Sequence, residues 1–255
     1  MNFIASASTD IGIKKTTNQD SLSVKVFNTQ QGKMVFAVLC DGMGGLSKGE
    51  LASATLVEAF NNWMCTELPA LCEGEISENA IASQWSRVIS QQNARIMNYG
   101  RSISTNMGTT VVAMLLTETK YFIMNVGDSR AYEIVDGVRQ ITKDQTVVAY
   151  EVEIGKITPE QALNDPRRSV LLQCVGASDD ITPAYYFGET RKNAVYMVCS
   201  DGFIHEITEE ELFGMLSPDK MISKEAMKSN IDDLIDLNKK RMEKDNISVI
   251  TIRTF

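Results

Sequence analysis

Four aspartates in this sequence share one local setting. Asp41 follows the apolar run Met34–Cys40, and Asp201 follows Tyr196–Ser200. Asp128 follows Phe122–Gly127, and Asp245 stands just ahead of Ile247–Ile252. Each sits where a buried strand would reach the rim of a sheet, either solvated or aimed into a shared site. Carboxylates crowded away from water repel one another and are driven to take up protons. A divalent cation relieves that repulsion, and oxygen ligands select hard ions such as Mg²⁺ or Mn²⁺. An Asp-Gly pair after a strand is also an ordinary turn. Asp136-Gly137, between two strand patterns with no other polar company, is read as one. Whether the four aspartates meet is not decided by their positions along the chain.

The rest of the composition narrows the chemistry. Among 255 residues there is one histidine, His205. A zinc site with several histidine ligands is therefore excluded, and a Ser-His-Asp triad would have to use His205 alone. The five cysteines show no C-x-x-C spacing. Cys40 and Cys199 lie inside apolar runs, as small core residues do. Their odd number, with no charged-then-apolar leader over Met1–Ser8, predicts free thiols in a reducing cytoplasm. No apolar run is long enough to span a bilayer. The formal net charge of −8 leaves no basic stripe for nucleic acid. Phosphorylated partners stay open if metal ions supply local positive charge.

The positioning elements follow from periodicity. Ile4–Gly12 reads as an extended edge segment and Ser21–Phe27 as an alternating strand. Met34–Cys40 is continuously apolar, as a strand buried on both faces would be. Leu51–Cys65 and Asn79–Tyr99 carry apolar stripes at helical spacing, with a turn around Pro69 and Gly74 between them. Strands return at Thr109–Thr117, Tyr121–Val126 and Ala131–Val135. Asp144–Gly176 is a long polar excursion containing a short helix capped by Thr158, Pro159 and Gln161. Ala194–Ser200 is a further buried run. Thr208 and Glu211 cap a helix through Met215. Ser223–Lys244 is predicted helical with Met227, Ile231, Leu234 and Ile235 inward, and Ile247–Arg253 is a closing strand. Regular β-α-β alternation is missing, so the pattern predicts an α+β fold with mainly antiparallel sheets. No linker or composition shift divides residues 1–255, which are read as one domain.

Several strings together resemble the metal-dependent protein phosphatase family, the type 2C phosphatases. They are TDIGIKKTTNQDS at Thr9–Ser21, VLCDGMGG at Val38–Gly45, MGTT at Met107–Thr110 and NVGDSRAY at Asn125–Tyr132. ITKDQT, CSDGF at Cys199–Phe203 and KDNIS at Lys244–Ser248 complete the set. They cover almost the whole chain in the family's order, and the length is closest to the bacterial branch.

The resemblance implies a four-layer α-β-β-α sandwich of two antiparallel sheets flanked by helix pairs. It implies a serine/threonine phosphatase in which Asp41 and Asp201 bind two Mn²⁺ or Mg²⁺ ions. The carbonyl of Gly42 also ligates, Asp245 completes one shell, and Asp20 joins partly through water. Asp128 matches a third-metal position. A hydroxide bridging the two core ions would attack phosphorus in line, with no covalent intermediate. The partners implied are phosphorylated proteins and the serine/threonine kinase that makes them, with no nucleic acid and no membrane, the enzyme acting as a monomer.

The sequence departs from the family at two positions and at His205. Lys15 stands where the family has an arginine that grips the substrate phosphate, so the charge is kept but the bidentate fork is lost. Met43 stands where animal members have a histidine. His205 stands where bacterial relatives often have an acidic residue and is read as the entry to a helix, with a third-site ligand and a proton carrier as the alternatives. Thr109, Thr110 and Glu50 are read as structural or as supports behind the ligands, and Arg167 and Arg168, in the variable flap Val147–Ser178, as a solvated pair, the alternative being that they meet a phosphorylated loop. The rival readings are a phosphatase fold without turnover, a small-molecule phosphatase and a calcium-stabilised structural domain.

Overall fold

The computed structural model describes residues 1–43 and 48–255. Gly44 and Gly45 of the glycine-rich string after Asp41 lie outside those residues. The chain opens with β1 (Phe3–Asp10) and a hairpin of β2 (Asp20–Thr29) and β3 (Gly32–Asp41). Helices α1 (Gly49–Thr66), α2 (Leu68–Leu71) and α3 (Glu78–Ser102) follow. Then come β4 (Val111–Leu116), β5 (Lys120–Val126), β6 (Arg130–Ile134) and β7 (Val138–Gln140). Short helices α4 (Val147–Glu153) and α5 (Pro159–Leu163) precede β8 (Ala184–Glu189) and β9 (Val195–Cys199). The chain closes with α6 (Asp201–Ile204), α7 (Glu209–Leu216), α8 (Lys224–Lys240) and β10 (Ile247–Thr254).

Two five-stranded sheets result, ordered β1-β10-β9-β6-β7 and β2-β3-β4-β5-β8. Every pairing in them is antiparallel. Side chains along a strand alternate between faces, and β3 shows why its sequence is apolar throughout. Val35, Ala37 and Leu39 pack between the sheets with Val112, Ile123, Tyr196 and Ile250. Met34, Phe36, Val38 and Cys40 pack outward under α1 and α3. β9 divides in the same way, with Met197 and Cys199 facing α7 and α8. The layers are therefore helix pair, sheet, sheet, helix pair, as expected.

Local signals explain the helices. Thr158 and Thr208 form complete capping boxes with Gln161 and Glu211. Ser77 and Ser223 cap α3 and α8. Asp136-Gly137 makes the tight β6–β7 turn, with Ile134 opposite Val138. The structure corrects the expectations in four places. Pro69 opens the short helix α2 instead of a turn, because proline is at home in a first helical turn. The last helix stops at Lys240 and leaves Arg241–Asn246 to form the loop carrying Asp245. Neither α4 nor β8 was expected. Among the described residues no helix is long and apolar enough to cross a membrane.

Candidate metal centre

Strand register gathers the aspartates. Asp20 and Asp41 face one another as the first residue of β2 and the last of β3. In the other sheet, β9 ends at Cys199 opposite Val249 of β10 and Arg130 of β6. Asp201 and Asp245 therefore leave the same rim of that sheet. Asp128 lies in the short crossover from β5 to β6, which ties the two rims to one end of the sandwich. Both sheets thus contribute carboxylates to one end.

The backbone around them is tightly braced. The amide of Asp41 donates to Thr110 Oγ1 at 3.0 Å, and its carbonyl accepts from Thr110 N and Thr109 Oγ1, each at 2.9 Å. Thr110 Oγ1 also meets Ser129 Oγ at 2.7 Å, next to Asp128. Gly42 N donates to Gln19 O at 3.1 Å, and Gln19 N donates to Asn246 Oδ1 at 2.9 Å. Ser248 N donates to Ser200 Oγ at 3.0 Å. Thr109 and Thr110 are thus structural braces, as their place in the sequence suggested. Glycine is required at Gly42, where a Cβ would sit 2.4 Å from Gly49 O and 2.6 Å from Gln19 O. It is required equally at Gly202, whose Cβ would lie 2.2 Å from Asn246 O.

The electrostatics are those of crowded acids. Asp20 and Asp128 are each 9% exposed. Burial raises the Asp20 carboxyl to about 7, with Asp201 and Asp245 adding to the rise and the Ser248 and Ser200 hydroxyls, near it but outside hydrogen-bonding geometry, opposing it. Asp41 is pushed well above the ordinary carboxylate range by burial and then by Asp20, Asp201, Asp128 and Asp245. Asp128 is raised by burial and by the charges of Asp201 and Asp144. Asp201 is raised by burial, opposed by His205 and aided by Asp245. Among the described residues, both carboxylate oxygens of Asp20 and Oδ1 of Asp201 are buried with no hydrogen-bond partner. Buried carboxylate oxygens without partners are costly, and hard divalent cations are one kind of ligand that satisfies such oxygens. No group of three or more His, Cys, Asp or Glu side chains among the described residues is drawn to single-ion spacing. Like charges stand apart and lean on basic neighbours instead.

Those neighbours are Lys15 and His205. Lys15 Nζ lies 2.7 Å from Asp245 Oδ1. Burial works against its charge, but Asp245, Asp41 and Asp201 together raise its pKa. His205 Nε2 is 3.4 Å from Asp201 Oδ2 and Nδ1 is 3.2 Å from Glu243 Oε2. His205 thus stands in the acidic cluster, just after α6 (Asp201–Ile204), and is more than the entry to a helix. Burial would lower its pKa, but Glu243 and Asp201 win and raise it. Glu243, which sequence reading passed over, also accepts the Asp245 amide at 2.8 Å. Its signal was an acidic residue two positions before Asp245. Glu50 lies in the first turn of α1, within 3.4 Å of Gln19 Nε2, and is structural. A cleft of about 700 Å³ opens over Asp201 and Asp245, lined also by Lys14, Lys15, Arg168, His205 and Lys244.

Residues 13–244 match the family described as Protein phosphatase 2C. A serine/threonine phosphatase of Listeria innocua is 30% identical over 222 residues, 86% of this chain and 84% of its own. The solved structure of serine/threonine phosphatase Stp1 from Staphylococcus aureus superposes with a TM-score of 0.84 at 26% identity, covering 100% of this chain and 96% of that one. The catalytic domain of serine/threonine phosphatase PstP, solved in complex with two manganese ions, has a TM-score of 0.75 at 27% identity, covering 98% of this chain and 97% of that one.

Proposed function

Because the chain belongs to the protein phosphatase 2C family, we propose that it is a metal-dependent protein serine/threonine phosphatase whose centre is the aspartate cluster. The observation that carries this reading is the convergence of carboxylates from both sheets, with both oxygens of buried Asp20 and Oδ1 of Asp201 unpartnered. All the donors are oxygens, which suits Mn²⁺ or Mg²⁺. On this reading Asp41, Asp201, Asp20, Asp245 and the Gly42 carbonyl hold two ions, and Asp128 serves a third. Residues 1–255 then act as one catalytic domain.

When bound, the cations would acidify a water toward neutrality and offset charge on the phosphoryl oxygens. The chain's own residues do the rest. Lys15, already among three carboxylates, turns its ammonium to the substrate phosphate as a point charge rather than a fork. Thr109, Thr110 and Asn246 hold the carboxylate-bearing backbone still, so little reorganisation accompanies reaction. His205 Nε2 can hold the proton that a departing serine or threonine oxygen requires, with Glu243 fixing the ring through Nδ1. The substrates on this reading are phosphoproteins made by a serine/threonine kinase of the same cell. The enzyme works as a monomer in the cytoplasm, where its five free cysteines suit a reducing environment.

The test is hydrolysis of a phosphothreonine peptide with Mn²⁺, with and without EDTA. Asp41→Ala and Asp201→Ala should each lower kcat/KM by about a thousandfold or more, as expected when a metal that activates water is lost, with the fold retained by circular dichroism. Undiminished activity in either variant refutes the assignment.

A further inference from the structure

The notable feature of the cleft is the sign of its rim in a chain whose formal net charge is −8. Three separate segments send cations to it, against one exposed carboxylate, Glu206. Lys14 comes from the β1–β2 connection, Arg168 from the stretch after α5, and Lys244 from the loop ahead of β10. All three are exposed. Their neighbours are differently engaged. Arg167 is held by Glu151 and Asp165, both within its own segment. Arg241 is held by Glu211 at 2.6 Å, and Lys15 by Asp245. No salt bridge to Lys14, Arg168 or Lys244 is found among the described residues. The adjacent arginines 167 and 168 therefore have different work. The first fastens the flap to itself, while the second lines the cleft.

We propose that Lys14, Arg168 and Lys244 form a cationic rim that selects substrates carrying a second anionic group, a carboxylate or another phosphate, a few residues from the phosphate to be cleaved. This rests on the phosphatase reading and adds a substrate class to it. The acidic floor binds no anion by itself, so the scissile phosphate is the business of the cations and Lys15. The three outer side chains are exposed, and among the described residues none is paired with an aspartate of the cluster. An arginine fork there can meet a carboxylate or phosphate bidentately, and flanking lysines act as point charges. Exposed pairs are individually weak and screened by salt, so recognition depends on several acting together and weakens at high ionic strength.

The experiment compares four phosphothreonine peptides with Mn²⁺: neutral flanks, glutamate flanks, a second phosphothreonine nearby, and lysine flanks. p-Nitrophenyl phosphate, which has no flank, is the control. At low salt kcat/KM should be about tenfold higher for one or both anionic peptides than for the neutral one, and lowest for the lysine peptide, with the spread narrowing in about 0.5 M NaCl. Comparing the glutamate and doubly phosphorylated arms identifies which anion the rim takes. The double variant Lys14→Ala, Arg168→Ala should lose the preference while keeping its rate on p-nitrophenyl phosphate. Equal rates on all four peptides overturn the proposal, as does a preference that survives in the double variant. A variant equally impaired on p-nitrophenyl phosphate also overturns it, by placing these side chains in the chemistry. Failure of the unaltered protein to hydrolyse p-nitrophenyl phosphate overturns the phosphatase reading itself, and this proposal with it.

Discussion

At the scale of single residues, the site is a set of acids in competition for counter-charge. Asp245 takes Lys15, Asp201 takes His205, and Asp20 takes nothing among the described residues. Glu243 organises two of these relationships, holding His205 through Oε2 and the amides of Lys244 and Asp245 through Oε1. Glu243→Gln keeps the shape and removes the charge, leaving a weaker acceptor for both. Groups that orient metal ligands typically change affinity by about 10- to 100-fold when altered. We expect the Mn²⁺ concentration giving half-maximal hydrolysis of p-nitrophenyl phosphate to rise in that range, while the melting temperature shifts little. An unchanged Mn²⁺ requirement would reduce Glu243 to a loop-forming residue. Asp41, Asp128, Asp201 and Asp245 were legible because strand ends announce themselves through the apolar runs beside them, and Asp20 only through the resemblance of Thr9–Ser21 to the family's opening string. Glu243 and the placement of His205 were not. Their meeting depends on the loop after α8 folding back on α6, a contact spanning 38 residues.

At the scale of elements, antiparallel pairing and close backbone approach do the positioning. The hairpin β2–β3 brings Asp20 opposite Asp41, and Gly42 lets the start of α1 pass against the end of β3. In Gly42→Ala the added methyl would meet two backbone carbonyl oxygens inside 3.0 Å, neither able to swing aside. Overpacking of this kind costs about 1–3 kcal/mol, which in a chain of this size lowers the melting temperature by about 5 °C. Calorimetry of the EDTA-treated protein would measure it, and a melting temperature equal to that of the parent would contradict the packing argument. The capping boxes at Thr158 and Thr208, the β6–β7 turn and the doubly buried β3 could all be read from local signals. Two elements could not. Helix α4 is rich in valine, which resembles a strand, and only its N-cap Thr146 betrayed it. Strand β8 sits at a sheet edge with half-buried residues on both faces, so it lacks the contrast that alternation needs.

At the scale of the whole molecule, the crowded acids couple stability to pH. Asp20, Asp41, Asp128 and Asp201 all have raised carboxyl pKa values in the folded chain, burial being the largest cause in each. An acid whose folded pKa exceeds its unfolded value, about 4, holds its proton more tightly when folded. That contribution is complete below the unfolded value and is lost as pH rises through the folded one, about 7 for Asp20. His205, also raised, acts in the same direction. In EDTA the melting temperature should therefore be lower at pH 8 than at pH 6, by about 5 °C. On the phosphatase reading Mn²⁺ takes the place of the protons, so it should stabilise more at pH 8 than at pH 6. Equal melting temperatures at the two pH values without metal would contradict this coupling. The fold class could be read from the succession of strand and helix patterns, but the meeting of the two rims could not, because it depends on how the sheets stack. That stacking has a further effect. Asp20 and Asp41 belong to one sheet, Asp201 and Asp245 to the other, so on the phosphatase reading a centre built from them works as a gauge of the distance between layers. Repacking Val35 or Ile252 deep between the sheets would alter that distance and register first as slower turnover, well before any loss of native structure could be seen.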